Sequence, residues 1–364
     1  MFDIVGIDYP CVDLNVNVDT LPESNGTLMI NSLSWQGGGK VASGIVTAAR
    51  LGAKCAIAGA IGDDRYGSFC RKDFVDHGVD VGFLKTRKDA RPALEIVLSD
   101  KETMGRSLIF HPGDVERLAE NELPYEYLKN TKYFFMAWLD SSDRKAAEAA
   151  RKGGAKVFID ADSYSDELVR YIPQIDVFVA SEFVYEGMFD DRNYEKNCRT
   201  VMKLGPEIVV FTLGERGALG MSREGFFQIP AWNVDVVDTV GAGDDFHGAF
   251  LVGLMQKGWS VERIAGFASA VAAIKCTRIG GRAGIPDMQT ALRFMQTGEI
   301  DYTEIDKRVK YYERGMDYVL KENSPWRGAC KAELSEYGGG KAAKGQVYGG
   351  NPKNQTGNSH PDGY

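Results

Sequence analysis

CAIAGAIG (residues 55–62) runs through eight positions without a charged side chain and without polar alternation. A strand with one wet face is polar at every second residue, so a short run that is apolar throughout belongs to a strand covered on both faces. Further short apolar runs recur at FDIVGID (2–8), YFFMAWL (133–139), KVFIDAD (156–162), VFVAS (177–181) and IVVFTLG (208–214), with helical patterns between them. That succession argues for an α/β fold with a parallel sheet and helices on both of its sides. Ligands of such a sheet belong at the carboxyl ends of its strands. Two regions break the rhythm. VDLNVNVDTLPESNGTLMINSLSW (12–35) and ALEIVLSDKETMGRSLIFH (93–111) alternate apolar with polar around turn-formers such as Ser24-Asn25-Gly26. They are expected to form a small separate sheet, a lid over the main domain.

The totals bound the function. A chain of 364 residues is long enough for one large α/β domain or two smaller ones. The net charge of −8, from 51 acidic and 43 basic residues, supplies no field to hold nucleic acid or an anionic membrane. Small-molecule chemistry is the expectation. Six cysteines without a CxxC pair signal neither a zinc site nor a disulfide framework and fit a reducing compartment. With no basic leader and no apolar run of membrane-spanning length, a cytoplasmic protein is expected. Toward the C-terminus Ile305, Val309, Tyr312, Met316 and Val319 fall at helical spacing. The chain thus divides into a main domain over 1–300, a helical extension over 301–334 and a Gly-, Lys- and Asn-rich tail over 335–364, expected to be disordered.

DTVGAGDDFHGAF (238–250) is the stretch that carries chemistry. Phe246, Phe250, Leu251 and Leu254 share a helical face, so a helix is expected to start at or just before Asp244 and to stop at Gly258. The unpaired N–H groups of Ala242, Gly243 and Asp244 then converge on a turn where missing side chains admit a phosphate. Asp244 stands there either as a general base on an attacking hydroxyl or as a simple helix cap, and these residues leave both readings open. His247, next to the apolar stripe, reads as packing.

DTVGAGDDFHGAF resembles the second signature of the ribokinase-like (PfkB-type) carbohydrate kinase family. GGGKVASGIVTAARLGAKCAIAGAIGDDRYG (37–67) is similar to that family's first signature, and TLGERGA (212–218) to its nucleotide-binding turn. The three lie in family order over about residues 1–297. The resemblance implies a three-layer α/β/α domain with a mostly parallel central sheet and a β lid. It further implies ATP-dependent phosphorylation of a hydroxymethyl group on a small-molecule sugar. Asp244 is then the base, with Gly241, Ala242 and Gly243 as the anion hole. Asp13 matches the acid that holds substrate hydroxyls, and Gly38, Gly39 and Lys40 match the diglycine segment lining the sugar pocket. Thr212, Leu213, Gly214 and Gly217 correspond to the nucleotide turn. Asp238 corresponds to a residue near a monovalent-cation site, for which K+ is the candidate. Mg2+ is implied by the charge of ATP.

Two positions depart from the family pattern. Ser43 stands where Asn is common, which is expected to reshape sugar recognition. The Asn-x-x-Glu element that helps place magnesium reads Ser181-Glu182-Phe183-Val184, so the metal is expected to be held through water, Glu182 or Glu186. Arg91 and Arg106, in the lid region, either meet substrate or phosphate on closure or are ordinary solvated arginines. His111 reads as surface or pocket lining. Rival classes are a nucleoside kinase of the same fold, a regulator that binds phosphosugar without turnover, and a dinucleotide-binding oxidoreductase suggested by GGGKVA. The last leaves the 241–244 turn unexplained, and GGGKVA is no Walker loop, because Ser34 and Val41 occupy its first Gly and its Ser/Thr positions. The lid's exposed edges suit a homodimer.

Overall fold

The computed structural model describes residues 1–103 and 105–326. Its strands are β1 (Phe2–Asp8), β2 (Cys11–Val18), β3 (Ser32–Gly38), β4 (Cys55–Gly62), β5 (Asp80–Arg87), β6 (Leu94–Asp100), β7 (Arg106–His111), β8 (Thr131–Met136), β9 (Lys156–Ala161), β10 (Val177–Ser181), β11 (Ile208–Thr212), β12 (Ala218–Ser222) and β13 (Gly225–Ile229). The helices are α1 (Lys40–Arg50), α2 (Arg65–Asp76), α3 (Tyr125–Leu128), α4 (Ser141–Lys152), α5 (Asp166–Tyr171), α6 (Glu182–Met188), α7 (Tyr194–Met202), α8 (Ala242–Leu254), α9 (Val261–Cys276), α10 (Met288–Thr297), α11 (Thr303–Glu313) and α12 (Met316–Lys321).

The main sheet has the order β13-β12-β11-β10-β9-β8-β1-β4-β5. From β11 to β5 every pairing is parallel, and β12 and β13 add an antiparallel edge. All eight residues of CAIAGAIG are buried, as expected of a strand covered on both faces. Alternate residues of one strand enter opposite cores. Ile4, Ile57, Phe135 and Phe158 pack with α1, α8 and α9 on one side, whereas Val5, Phe134, Ile159 and Phe178 pack with α4 and α7 on the other. The result is the expected three-layer α/β/α arrangement.

The second sheet has the order β3-β2-β6-β7 and is drawn from the two alternating regions. β2 pairs antiparallel with β3 but parallel with β6, so its halves meet by a long crossover rather than a hairpin. On edge strand β7 Leu108, Ile109 and Phe110 are 50%, 55% and 59% exposed, and this row of apolar side chains leaves the lid with an uncovered edge.

Three local readings change. Helix α8 starts at Ala242, with Gly241 at its cap, rather than at or just before Asp244, and it ends at Leu254 rather than Gly258. The apolar stripe at 305–319 is not one helix but two, α11 and α12, separated at Gly315, whose φ of 88° breaks the helical path. Strands β5, β12 and β13 had no apolar-run signal: β5 is an edge strand, DVGFLKTR, mostly half-exposed or exposed. Tyr311 and Tyr312 of α11 pack against Trp326, and the Tyr311 hydroxyl donates to Asp76 of α2. The tail at 335–364, and the extension beyond Trp326, lie outside the described residues. Cys11, Cys55, Cys70, Cys198 and Cys276 are buried free thiols. No helix among the described residues is long and apolar enough to cross a membrane.

Candidate active site

Six of the twelve α-helices among the described residues begin with a capping side chain: Asp64 accepts from the Gly67 N–H at 2.8 Å to open α2, and Asp287 caps α10 through the Thr290 N–H. Helices α1 and α8 begin instead on Gly39 and Gly241, with no capping side chain of their own. At Gly241 the φ of 72° is left-handed, and an added Cβ would stand 2.8 Å from the Gly281 Cα, so both conformation and space require glycine.

The two bare helix starts are brought together by the α1–α8 crossing. A Cβ on Gly248 would collide with the Gly44 carbonyl, and one on Gly44 would lie 3.0 Å from the Asp244 carbonyl, so the backbones meet directly. Thr47 on α1 donates its hydroxyl to Asp245 Oδ1 on α8, locking the register of that contact. The diglycine segment is tied down next to it. Gln36 Oε1 accepts from the Arg282 and Ala283 N–H groups at 2.7 and 2.9 Å, and Arg282 donates to the Gly38 carbonyl at 3.0 Å while pairing with buried Asp73. Ser43 is buried beneath this loop, its N–H bonded to the Gly39 carbonyl at 2.9 Å.

Asp244 occupies the first turn of α8, half-buried, and is not the cap of the helix. Gly243 beside it is exposed, and nothing lies within 4 Å of where its Cβ would be. The first-turn amides of Gly243 and Asp244 have no acceptor inside the helix. The Ala242 N–H differs from expectation: it closes the turn onto the Thr239 carbonyl at 3.2 Å. Burial pushes the Asp244 carboxyl well above the ordinary carboxylate range. Repulsion from Asp160 and Asp245 adds to this, and Lys40 opposes it.

Asp160, at the end of β9, is buried and lies 3.2 Å from His247 Nδ1. Burial would raise its carboxyl, but His247 and Lys40 outweigh that and hold it low. One ligand atom each from Asp160, Asp244 and His247 falls within 4.8 Å of the others. Lys40 extends from the start of α1, pairs with Asp162 and lies 4.5 Å from the Trp138 ring centroid. Burial disfavours its ammonium, yet the bond to Asp162 and the charges of Asp162, Asp160 and Asp244 raise its pKa. Buried Asp8, at the end of β1, accepts from the Ala42 N–H at 2.7 Å and from Trp138 Nε1 at 3.0 Å. It therefore supplies α1 with its missing cap from another element.

Asp13 is buried on β2, aligned with Gln36 of β3 and Glu95 of β6. Burial and then the Glu95 charge push it up to about 7. Ser181 and Thr212 pair across β10 and β11, at the ends of which the turn over 213–217 begins. Ser181 Oγ donates to the Asp162 carbonyl at 3.0 Å, which joins that turn to the Lys40 side of the site. Leu213 is buried, and its N–H closes the Gly214–Gly217 turn onto the Gly217 carbonyl at 2.8 Å. Asp238 is buried, and its carboxylate accepts from Ser99 Oγ, the Val240 N–H and the Gly280 N–H at 2.9, 2.9 and 2.8 Å.

Arg106 acts on Glu95, the neighbour of Asp13, partly offsetting the rise of its carboxyl, and the other expected residues make contacts of their own. Arg106 is exposed on β7, and Arg91 lies 3.5 Å from Asp64. His111 accepts from the Gly113 N–H at 3.0 Å, a loop contact. Glu182 is paired with Arg216, Val184 is fully buried and Glu186 is exposed. His247 does pack against Phe158, as expected, but its pairing with Asp160 was not read from the sequence. Asp8, Asp160 and Asp162 were overlooked as well. Their signal was an aspartate at the carboxyl end of an apolar run, in FDIVGID and KVFIDAD.

Residues 1–288 match the family model described as pfkB family carbohydrate kinase. Aminoimidazole riboside kinase of Salmonella typhimurium is 31% identical over 294 residues, covering 75% of this chain and 90% of that protein. Ribokinase of Haemophilus influenzae is 29% identical over 269 residues, covering 71% and 87%. A solved structure of a putative ribokinase II from E. coli in complex with ATP and Mg2+ shares the fold, with a TM-score of 0.71 at 20% identity over 81% of this chain and 99% of that one. A match that spans both sheets and every site residue placed above assigns this chain to the pfkB family: it is a carbohydrate kinase.

Proposed function

We propose that the enzyme transfers the terminal phosphoryl group of ATP to a hydroxymethyl group of a sugar or riboside, with Asp244 as the general base. The observation that carries this reading is the half-buried Asp244 carboxylate in the first turn of α8, next to the open, side-chain-free surface of Gly243. A carboxylate with a raised pKa is a better proton acceptor than an exposed one once it is ionised. The amides of Gly243 and Asp244, at the positive end of α8, stabilise charge on the migrating phosphoryl group. Asp13 and the 38–40 segment bind the sugar, since buried carboxylate and bare backbone accept and donate to polyol hydroxyls. Ser43 shapes that pocket, and Arg106 would reach it only with the lid. Ser181 and the Thr212, Leu213, Gly214 and Gly217 turn hold the nucleotide.

The residues present fit a magnesium ion that arrives with ATP. Glu182 is committed to Arg216, and half-exposed Asp162, paired with Lys40, would hold the ion by sharing its carboxylate, with phosphate oxygens and water completing the shell. Held there, it would supply positive charge against the phosphates. The apolar edge of β7 is the surface through which the lid would pair with a second copy, and light scattering of wild type against Phe110→Asp tests that pairing.

A phosphorylation screen with ATP over pentoses, ketohexoses, acidic sugars and nucleosides, using Asp244→Asn as blank, tests the function. Aminoimidazole riboside kinase among the relatives favours including ribosides with a free hydroxymethyl group. Transfer that persists undiminished in the blank would remove Asp244 from the reaction.

A further inference from the structure

Lys275, in the last turn of α9, is fully buried, and its Nζ donates to the carbonyl oxygens of Asp238, at 3.0 Å, and of Val240. No carboxylate oxygen takes part in these bonds. The same end of α9 holds the segment again, because the Cys276 carbonyl accepts from the Val237 and Asp238 N–H groups at 2.8 and 3.1 Å. A buried ammonium gives up its hydration, and here it recovers two carbonyl dipoles and the attraction of the buried Asp245 carboxyl, without an ion pair to it.

The geometry shows what the charge can do. A trans peptide places C=O and N–H on opposite sides. With the Val240 carbonyl turned onto Nζ, the Gly241 N–H is turned away from the ammonium, to the other side of the turn that opens α8. Two carbonyl oxygens converging on a buried point are also the hard-oxygen donors that a monovalent cation takes. The resemblance placed such an ion, K+, beside Asp238. Its residues do not fit a separate ion in this chain: the carbonyls are engaged by Lys275, and the Asp238 carboxylate is filled by Ser99, Val240 and Gly280.

We propose that the Lys275 ammonium is the resident cation of the phosphate-binding turn. It replaces a monovalent ion and makes the enzyme independent of added K+. The inference rests on the kinase reading for its rate measurements but not for its stability measurements. Lys275 is a positioning residue, acting through the 238–241 backbone.

The test compares wild type with Lys275→Met in K+, Na+ and tetramethylammonium salts at equal ionic strength, following kcat, KM and the melting temperature. Wild type is expected to vary less than about twofold in kcat across the three salts. The variant is expected to lose about thirtyfold or more in kcat in tetramethylammonium, with KM for the acceptor little changed, and to regain at least about fivefold in K+. K+ should raise the melting temperature of the variant and leave that of wild type unmoved. Activation of wild type by K+ of about tenfold would overturn the proposal, and needs no variant to fold. So would a variant that keeps wild-type rates in tetramethylammonium, or one impaired equally in all three salts. Absence of phosphoryl transfer in every salt would instead sink the kinase reading, and the melting shifts would then decide the role of Lys275.

Discussion

His247 Nδ1 lies 3.2 Å from Asp160 Oδ2, and one ligand atom of each falls within 4.8 Å of an Asp244 carboxylate oxygen. This pairing keeps Asp160 ionised in a buried position, and an ionised Asp160 is the largest repulsive charge on Asp244. After burial, Asp160 is thus the group that most raises the Asp244 carboxyl.

Asp160→Asn is expected to move the acidic limb of the kcat/KM profile to lower pH by about one unit. Asp244 must be ionised to accept a proton, its pKa is raised first by burial and then by Asp160, and removing that charge lets it ionise earlier. Rate–pH profiles of the two proteins check this. A limb that stays put or moves to higher pH would sink it.

Asp244→Asn should lower turnover by about a hundredfold or more while nucleotide affinity hardly changes, because the amide keeps the shape of the turn but cannot take the proton. Initial rates together with equilibrium nucleotide binding separate the two effects. Equal losses in both would make Asp244 a binding group.

Gly241→Ala and Gly243→Ala should part company. The first meets a left-handed φ and the Gly281 Cα, and should cost about 1–2 kcal/mol of stability. The second puts a methyl group into open space within a helix, so the fold should hold or gain slightly while phosphoryl transfer falls. Melting curves and rates on both variants check the contrast. A Gly243→Ala enzyme with full activity would place the phosphate elsewhere.

Asp245→Asn should stabilise the protein at alkaline pH and not in acid. Burial raises Asp245 to about 7 from an ordinary 3.8, and Oδ2 has no hydrogen-bond partner among the described residues. A raised acid favours folding while protonated, so this contribution is complete below about pH 4 and is lost as pH rises through about 7. Asparagine mimics the protonated form at every pH, so its advantage should grow across that window and reach several degrees in melting temperature near pH 8. A difference that is constant with pH would show that the charge is not the cause.

Legibility followed physical locality. β1, β4 and β10 were readable to the residue because burial on both faces demands an unbroken apolar run. β5 was not, since an edge strand tolerates polar side chains along its length. The glycine turn at a helix start was readable because Gly241, Gly243 and Asp244 are neighbours in the chain. The helix boundary was misplaced by two residues because the turn is set by Gly241 against Gly281, a contact forty residues away in sequence.

Pattern along the chain by itself determined the layered α/β architecture, the small alternating sheet and the aspartate that follows the glycine turn, because each depends on residues a few positions apart. Tertiary structure alone decided which charge faces which. Asp8 caps α1 across 34 residues, Asp160 meets His247 from a different element, and Lys275 reaches back 35 residues to the Val240 carbonyl. Electrostatic interactions act through space and depend on burial, so the raised carboxyl of Asp244 and the burial of Lys275 against the 238–240 carbonyls appear only once distant segments are packed together.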